Sequence, residues 1–373
     1  MRLLTTIACL IALLLACTVG AVEPRDPDQW PFASTSIWNM PIGAGAHYVA
    51  AGIKRAEQWG LVADEDIVIM TPQAPLVPVF ESNVGWSSRQ AGSRCLPTGK
   101  KLGDLPIPDS FVLPHPADST PNFAAGVLMP DGHTVRNLQP LTRCQVKGAA
   151  TALVEFPSSD LYGDGIVGAH GGSGLSSIGG TLRLGELQPG RRLRHALKVV
   201  IYGKKYIAYR QDNTPGYRFP ALRADSYAKD TYGGVVPELE MGALLALKPT
   251  FNLGALKTEP AKILAQALMD YGAYVVDDTA WDTYGFAVER SPNGMFQAEF
   301  KQTWGFNFDT PAVDRNPWVQ DMVTIFTSLH VIANNRADAI GGGGKLRQPL
   351  APEFRSQQSY SQRRGAIQRL RGR

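Results

Sequence analysis

The sequence predicts a mainly β protein, a β-sandwich or jelly-roll-like body carrying a few short helices. Three observations carry that prediction. Short runs of β-branched and aromatic residues recur along the chain, 38 glycines and 27 prolines in 373 residues punctuate them, and helical apolar spacing occurs in only two stretches. With 44% hydrophobic and 19% charged residues the chain can bury a full core and lies outside the composition of disordered proteins. No repeat, heptad or composition shift marks a second domain. Residues 22–340 are therefore expected to form one domain, preceded by a signal and followed by a flexible basic tail, 341–373, joined through GGGG at 341–344.

At the N-terminus, Arg2 precedes an apolar run from Leu3 to Ala16 that is short for a membrane span and is followed by small residues, the build of an export signal. Two processing sites fit. Val19-Gly20-Ala21 suits cleavage after residue 21, whereas Leu14-Leu15-Ala16-Cys17 resembles a lipoprotein box, with a signal of residues 1–16 and lipidation at Cys17. Either way Cys9 leaves with the signal. Cys95 and Cys144 remain in the body, and an oxidising compartment favours a disulfide between them over two buried thiols. The expected location is outside the cytoplasm: periplasmic, anchored at the outer membrane, or extracellular. Membrane contact is expected only through the lipid.

The stretch after the signal, VEPRDPDQWPFASTSIWNMPIG, has no period and reads as an extended arm held by Trp30, Phe32 and Trp38. The prolines of DIVIMTPQAPLVPVF at 66–80 suit edge strands, and those of 96–122 suit a surface loop. Pro130-Asp131-Gly132 forms a hairpin turn between strand-like flanks. ALVEF at 152–156, TLRLGEL at 181–187 and HALKVVIYGKKYIAYR at 195–210 continue the strand content. Pro260 opens a helix with Ile263, Leu264, Ala267, Leu268 and Tyr271 on one face and Gly272 as its stop. YVVDD and GFAVER are strands. A second helix begins at Pro317, with Val319, Met322, Val323, Phe326 and Leu329 inward.

The chemistry-bearing stretches are few. GAHGGSGLSSIGG at 168–180 leaves His170 on a backbone largely without Cβ atoms, where it could act as an acid or base; a plain β-arch is the alternative. The run lacks the nucleophile-elbow and P-loop patterns, and six scattered histidines have no zinc spacing, so no cofactor and no metal is expected. Asp160 and Asp164 fit Asx turns as well as a calcium loop. YGAYVVDDTAWDTYGFAVE at 271–289 sets Asp277, Asp278 and Asp282 among Tyr274, Trp281 and Tyr284, a mixture suited to sugars, with turn carboxylates as the alternative. Adjacent Asp277 and Asp278 point to opposite faces if the strand continues. Glu238 and Glu240 share one strand face, and Glu186, Arg183 and His195 flank the glycine run. The net charge of +4 is partly in the tail, which excludes a nucleic-acid partner for the body.

The glycine stretch followed by RHALKV, together with MGALLALKP, YGAYVVDDTAWD, SIWNMPIG and MPDGHTV, resembles a family of secreted bacterial β-rich proteins over most of the mature chain. The resemblance implies an exported β-rich domain and brings no activity with it. The residues themselves lead to the expectation of an exported enzyme that cleaves a polysaccharide. In a hydrolase, Asp277, Asp278 or Asp282 would work with Glu186 or Glu238. In a lyase, His170 or Tyr274 would be the base and Arg183 would neutralise a uronate, with Trp281 and Tyr284 as sugar platforms. The competing expectation is a non-catalytic cell-envelope protein that binds glycan.

Overall fold

The computed structural model describes residues 25–86, 88–119, 121–209, 215–311 and 315–354. The signal region, Cys17 and the basic tail beyond 354 lie outside the described residues. Among the described residues there are fourteen strands: β1 Tyr48–Ala50, β2 Leu61–Ile69, β3 Leu76–Glu81, β4 Lys101–Pro106, β5 Ala125–Leu128, β6 Thr134–Gln139, β7 Ala150–Ala152, β8 Val154–Asp160, β9 Leu197–Ile201, β10 Leu244–Ala246, β11 Ala273–Asp278, β12 Tyr284–Ser291, β13 Gly294–Met295 and β14 His330–Ile332. The helices are α1 Ala228–Thr231, α2 Glu259–Asp270, α3 Phe296–Trp304 and α4 Pro317–Thr327. None is long and apolar enough to cross a membrane.

The protein is mostly β, as predicted, but its main sheet is mixed. Its order is β1-β14-β10-β11-β9-β12-β2-β5-β6-β8, with β13 hairpinned onto β12, and the pairs β11/β9, β12/β2 and β2/β5 run parallel. A jelly roll is antiparallel throughout; here helices and long crossovers connect parallel neighbours, as parallel pairing requires. A second sheet, β4-β3-β7, shares a core of Ile67, Val79, Leu105, Val127 and Leu138 with β2, β5 and β6. On the rest of that face, α2, α3 and α4 cover the sheet through Leu264, Phe300, Trp318 and Phe326. On the opposite face lie the N-terminal arm and the glycine run, packed by Phe32, Trp38, Leu175 and Ile178. Strand alternation makes the division: Leu197, Val199 and Ile201 of β9 face the helices, while Val200 faces the arm.

Several elements follow the sequence. The arm lies over the body with Phe32 and Trp38 buried, and Trp30 Nε1 donates to Asn39. Pro130-Asp131-Gly132 turns β5 into β6, with Gly132 at φ 79° and Asp131 accepting from the amides of His133 and Thr134. Pro260 opens α2, its five predicted inward residues are buried, and Gly272 follows at φ 78°. Four of the five predicted inward residues of α4 are buried, Val323 being only partly so. Asp160 and Asp164 accept from the amides two residues on, the geometry of Asx turns. Cys95 and Cys144 are joined in a disulfide, Cα atoms 5.8 Å apart.

Other expectations are corrected. The stretch read as edge strands supplies β2, deep in the main sheet, and β3, the centre of the small one; the prolines fall between them apart from Pro78. The proline-rich 96–122 contains β4, which uses the proline-free KLGDL before Pro106. TLRLGEL contributes only one bridge, Leu182 to Val288, before turning at Gly185. The helix α3 has no predicted counterpart. Most consequential, the glycines at 341–344 are no loose link. All four take positive φ, and the amides of Gly43 and Gly45 donate to the carbonyls of Gly341 and Gly343. A Cβ on Gly43 would sit 1.9 Å from Gly343 O, so only two bare backbones can approach this closely. Beyond this clasp, Arg347 donates to Met269 O, and Ser34 bonds Glu353, so the chain stays docked through 354.

Candidate functional site

The glycine run closes as a tight arch over β2 and β9. Gly168 N donates to Gly174 O, Gly174 N to His170 O, and His170 N to Leu175 O. Gly168 is obligatory, since a Cβ there would lie 2.3 Å from Ser176 Cα. The arch presses His170 into the interior, where it is fully buried and its Nε2 meets Asp66 Oδ1 at 2.8 Å. The other oxygen of Asp66 accepts from Thr181 Oγ1 at 2.7 Å and pairs with Lys198 Nζ at 2.6 Å. Lys198 also donates to Ser176 O. Burial raises the Asp66 carboxyl, but Lys198 and His170 outweigh it and hold the group below its ordinary range. Asp64, two residues earlier on the same face of β2, is attracted by His170 and Lys198 too, but burial outweighs them and pushes it up. Its Oδ2 has no hydrogen-bond partner among the described residues.

Beside this network stands a trio of carboxylates. Asp225, Asp277 and Asp278 each offer an oxygen, all within 4.8 Å of one another. Asp277 and Asp278 end β11, and a register shift after Val275 turns Asp277 inward against the glycine run. Gly172 makes room: its Cβ would lie 2.6 Å from Asp277 Oδ1 and 3.0 Å from Asp225 Oδ2. Asn122 Nδ2 approaches Asp277 Oδ2 at 3.4 Å, Tyr227 donates to Asp278 Oδ1 at 2.8 Å, and Tyr232 donates to Asp225. Burial and then repulsion from Asp225 and Asp278 raise Asp277 well above the carboxylate range. For Asp278, burial and then Asp225 carry it to about 7. Burial also raises Asp225, and hydrogen bonds from Tyr232 and Tyr227 oppose that rise. Both tyrosines are raised, first by burial and then by Asp225, and remain donors. Such a set can move protons near neutrality, or hold a hard divalent cation.

The other predicted residues lie apart from this trio. Arg183 is buried and bound to Glu289, Nε to Oε2 2.7 Å, so it is not presented to a uronate. Glu186 pairs with His195 at 3.0 Å and accepts from the Arg183 amide. Asp282 is buried against Lys205, 2.7 Å. Tyr274 is a core residue set edge-on to Trp38, and Tyr284 stacks on Phe326, so neither offers a surface to a sugar. Glu238 is partly buried, and its carbonyl accepts from Arg218. Trp281 is 41% exposed on the loop after β11.

Asp64, Asp66, Lys198, Asp225, Tyr227 and Tyr232 were missed by sequence reasoning. Two signals were present: a lysine inside the apolar strand LKVVI, and carboxylates at i and i+2 in DEDIVI, which alternation puts on one buried face. Asp225 carries no local signal, since its loop meets β11 only through the fold. Compared with family models, with curated proteins and with solved structures, the chain matches none.

Proposed function

We propose that the protein is an exported hydrolase of polysaccharide, with Asp278 as general acid and Asp225 as nucleophile. The observation that carries this reading is the trio itself: three carboxyl groups within 4.8 Å, of which one is raised to about 7 and another accepts a tyrosine hydroxyl that favours its ionised form. In the first step Asp278 gives its proton to the glycosidic oxygen as the bond to the anomeric carbon breaks, and Asp225 forms an ester with that carbon. In the second, Asp278 takes a proton from water, whose oxygen displaces Asp225 from the sugar. Asp277, raised by burial and by repulsion from Asp225 and Asp278, limits the negative charge that the trio gathers. Inverting enzymes need their carboxyl groups about 6.5–9.5 Å apart to admit water; this closer spacing supports net retention. The lyase alternative is disfavoured because Arg183 is committed to Glu289 and Tyr274 to the core.

Export is supported by the disulfide, and release or lipidation at Cys17 remains part of the proposal. The test is reducing-end release by the mature protein on neutral and uronate polysaccharides, with ultraviolet absorbance as the sign of elimination. Retention of anomeric configuration by NMR, loss of turnover in Asp278→Asn and Asp225→Asn, and turnover that survives EDTA are expected. Elimination products, inversion or EDTA inactivation would each overturn this assignment, and binding without turnover would favour the non-catalytic glycan-binding protein.

A further inference from the structure

The sheet edge that carries Asp278 also carries two exposed tryptophans. Leu61 of β2 pairs with Tyr284 of β12, Tyr284 with Ile201 of β9, and Ile201 with Asp278 of β11, so these four residues form one row across the sheet. Three strand steps at about 4.8 Å make that row about 14 Å long. Trp59 lies two residues before Leu61, and Trp281 lies between Asp278 and Tyr284, so both leave the sheet at the same edge as the carboxylate trio.

Large aromatic rings on a surface usually lie down over apolar neighbours, but Trp59 is 53% exposed and Trp281 41% exposed. Their backbones, by contrast, are tied. The amides of Gln58 and Trp59 both donate to Asp282 O, and Asp282 N donates to Gln58 Oε1 at 2.6 Å. Thr283 Oγ1 donates to Gly60 O, and Thr279 Oγ1 to Trp281 O. Lys205 bridges Glu57 and Asp282, at 3.0 and 2.7 Å. Two ring-bearing loops are thus clamped together and rimmed by groups able to hydrogen-bond hydroxyls. That is a preorganised arrangement for a ligand that is flat and apolar on its ring faces and hydroxylated at its edges.

We propose that Trp59 and Trp281 form an extended binding platform for a neutral polysaccharide, running from the carboxylate trio along this edge and taking sugar rings beyond the cleavage point. The proposal rests on the hydrolase reading for its direction along the chain of the ligand. Its neutrality follows from charge: Lys205 at the platform is already paired with Glu57 and Asp282, and the ionised part of the trio would repel a uronate at the polymer's end.

The test is affinity electrophoresis and tryptophan-fluorescence titration of the mature protein with barley β-glucan, xylan, polygalacturonate and alginate. Wild type, Trp59→Ala, Trp281→Ala and the aromatic replacements Trp59→Phe and Trp281→Phe are compared. Because both side chains are exposed, the variants should fold, which circular dichroism checks. The expected result is binding to at least one neutral polysaccharide, about tenfold weaker in each alanine variant and largely retained in the phenylalanine variants. Unchanged binding in both alanine variants, binding to polyuronates alone, or no binding by wild type would overturn it. Asp278→Asn separates the two readings. If it and wild type bind alike but neither cleaves, the platform stands and the hydrolase falls; cleavage by wild type with tryptophan-independent binding gives the reverse.

Discussion

Replacing Asp278 by asparagine should remove the proposed acid and yet stabilise the fold above neutral pH. The carboxyl ionises near 3.8 when unfolded and at about 7 in the fold, raised by burial and then by Asp225. Between those values unfolding releases a proton, so each rise in pH drains stability; above pH 7 the whole cost is present. A shift of about three units corresponds to about 4 kcal/mol for a fully buried group. Asp278 is only partly buried and water screens it, which reduces the expected effect to ~1–2 kcal/mol. Asparagine keeps the Oδ1 acceptor for Tyr227 and carries no charge. Urea unfolding of wild type and variant at about pH 2.5 and pH 8 is the assay, with the carboxyl protonated in both states at the lower value. The variant should gain stability at the higher pH and show little change at the lower. Equal or lower stability at pH 8 would refute a raised Asp278, and with it the acid role, whatever the substrate proves to be.

Other outcomes follow from the buried groups. Lys198→Met strips the cation from Asp66 and should cost about 3–5 kcal/mol in urea unfolding at neutral pH, because a carboxylate is left in the interior. A loss under about 1 kcal/mol would mean that the network is open to water. Replacing both Cys95 and Cys144 by serine frees a closed loop with a sequence separation of 49, and about 4 kcal/mol of stability should be lost, read in the same assay against the oxidised wild type. Gly172→Ala would bring a methyl group into Asp277 and Asp225, and turnover should fall by more than tenfold with the fold retained by circular dichroism.

Local patterns were legible where one element answers to one period. The 3.6-residue spacing after Pro260 and Pro317, the Pro-Asp-Gly turn and the aromatic arm all behave as their residues dictate. Parallel pairing was not legible, since β2 gains its neighbours β12 and β5 through long connections that leave no trace in its own sequence. The same limit applies to the site. Asp277 and Asp278 stood out from their aromatic surroundings, whereas Asp225 sits in an ordinary loop and becomes a partner only when that loop crosses the end of β11. His170 was visible, but its burial depended on Asp66 and Lys198 arriving from two other strands.

Asp64 and Asp66 show why the neighbourhood of a carboxylate says more than its presence. Strand alternation gives them the same face of β2, yet Lys198, His170 and Thr181 all converge on Asp66, and none of them contacts Asp64 Oδ2. Their responses to neutralisation should therefore have opposite signs. Asp66 is held below 3.8, so its contribution is present above the unfolded value and fades as pH falls through the folded one. Asp66→Asn leaves Lys198 buried without its counter-ion and should cost about 3–5 kcal/mol at pH 7, less in acid. Asp64 is raised by burial, so its charge drains stability once pH exceeds the unfolded value. Asp64→Asn should leave thermal stability unchanged or raise it at neutral pH. Melting curves at about pH 2.5 and pH 7 distinguish the pair. If Asp64→Asn proved the more damaging variant, the ion network would have to be centred on Asp64, and the division between a carboxylate paired by Lys198 and His170 and one whose Oδ2 has no hydrogen-bond partner would be wrong.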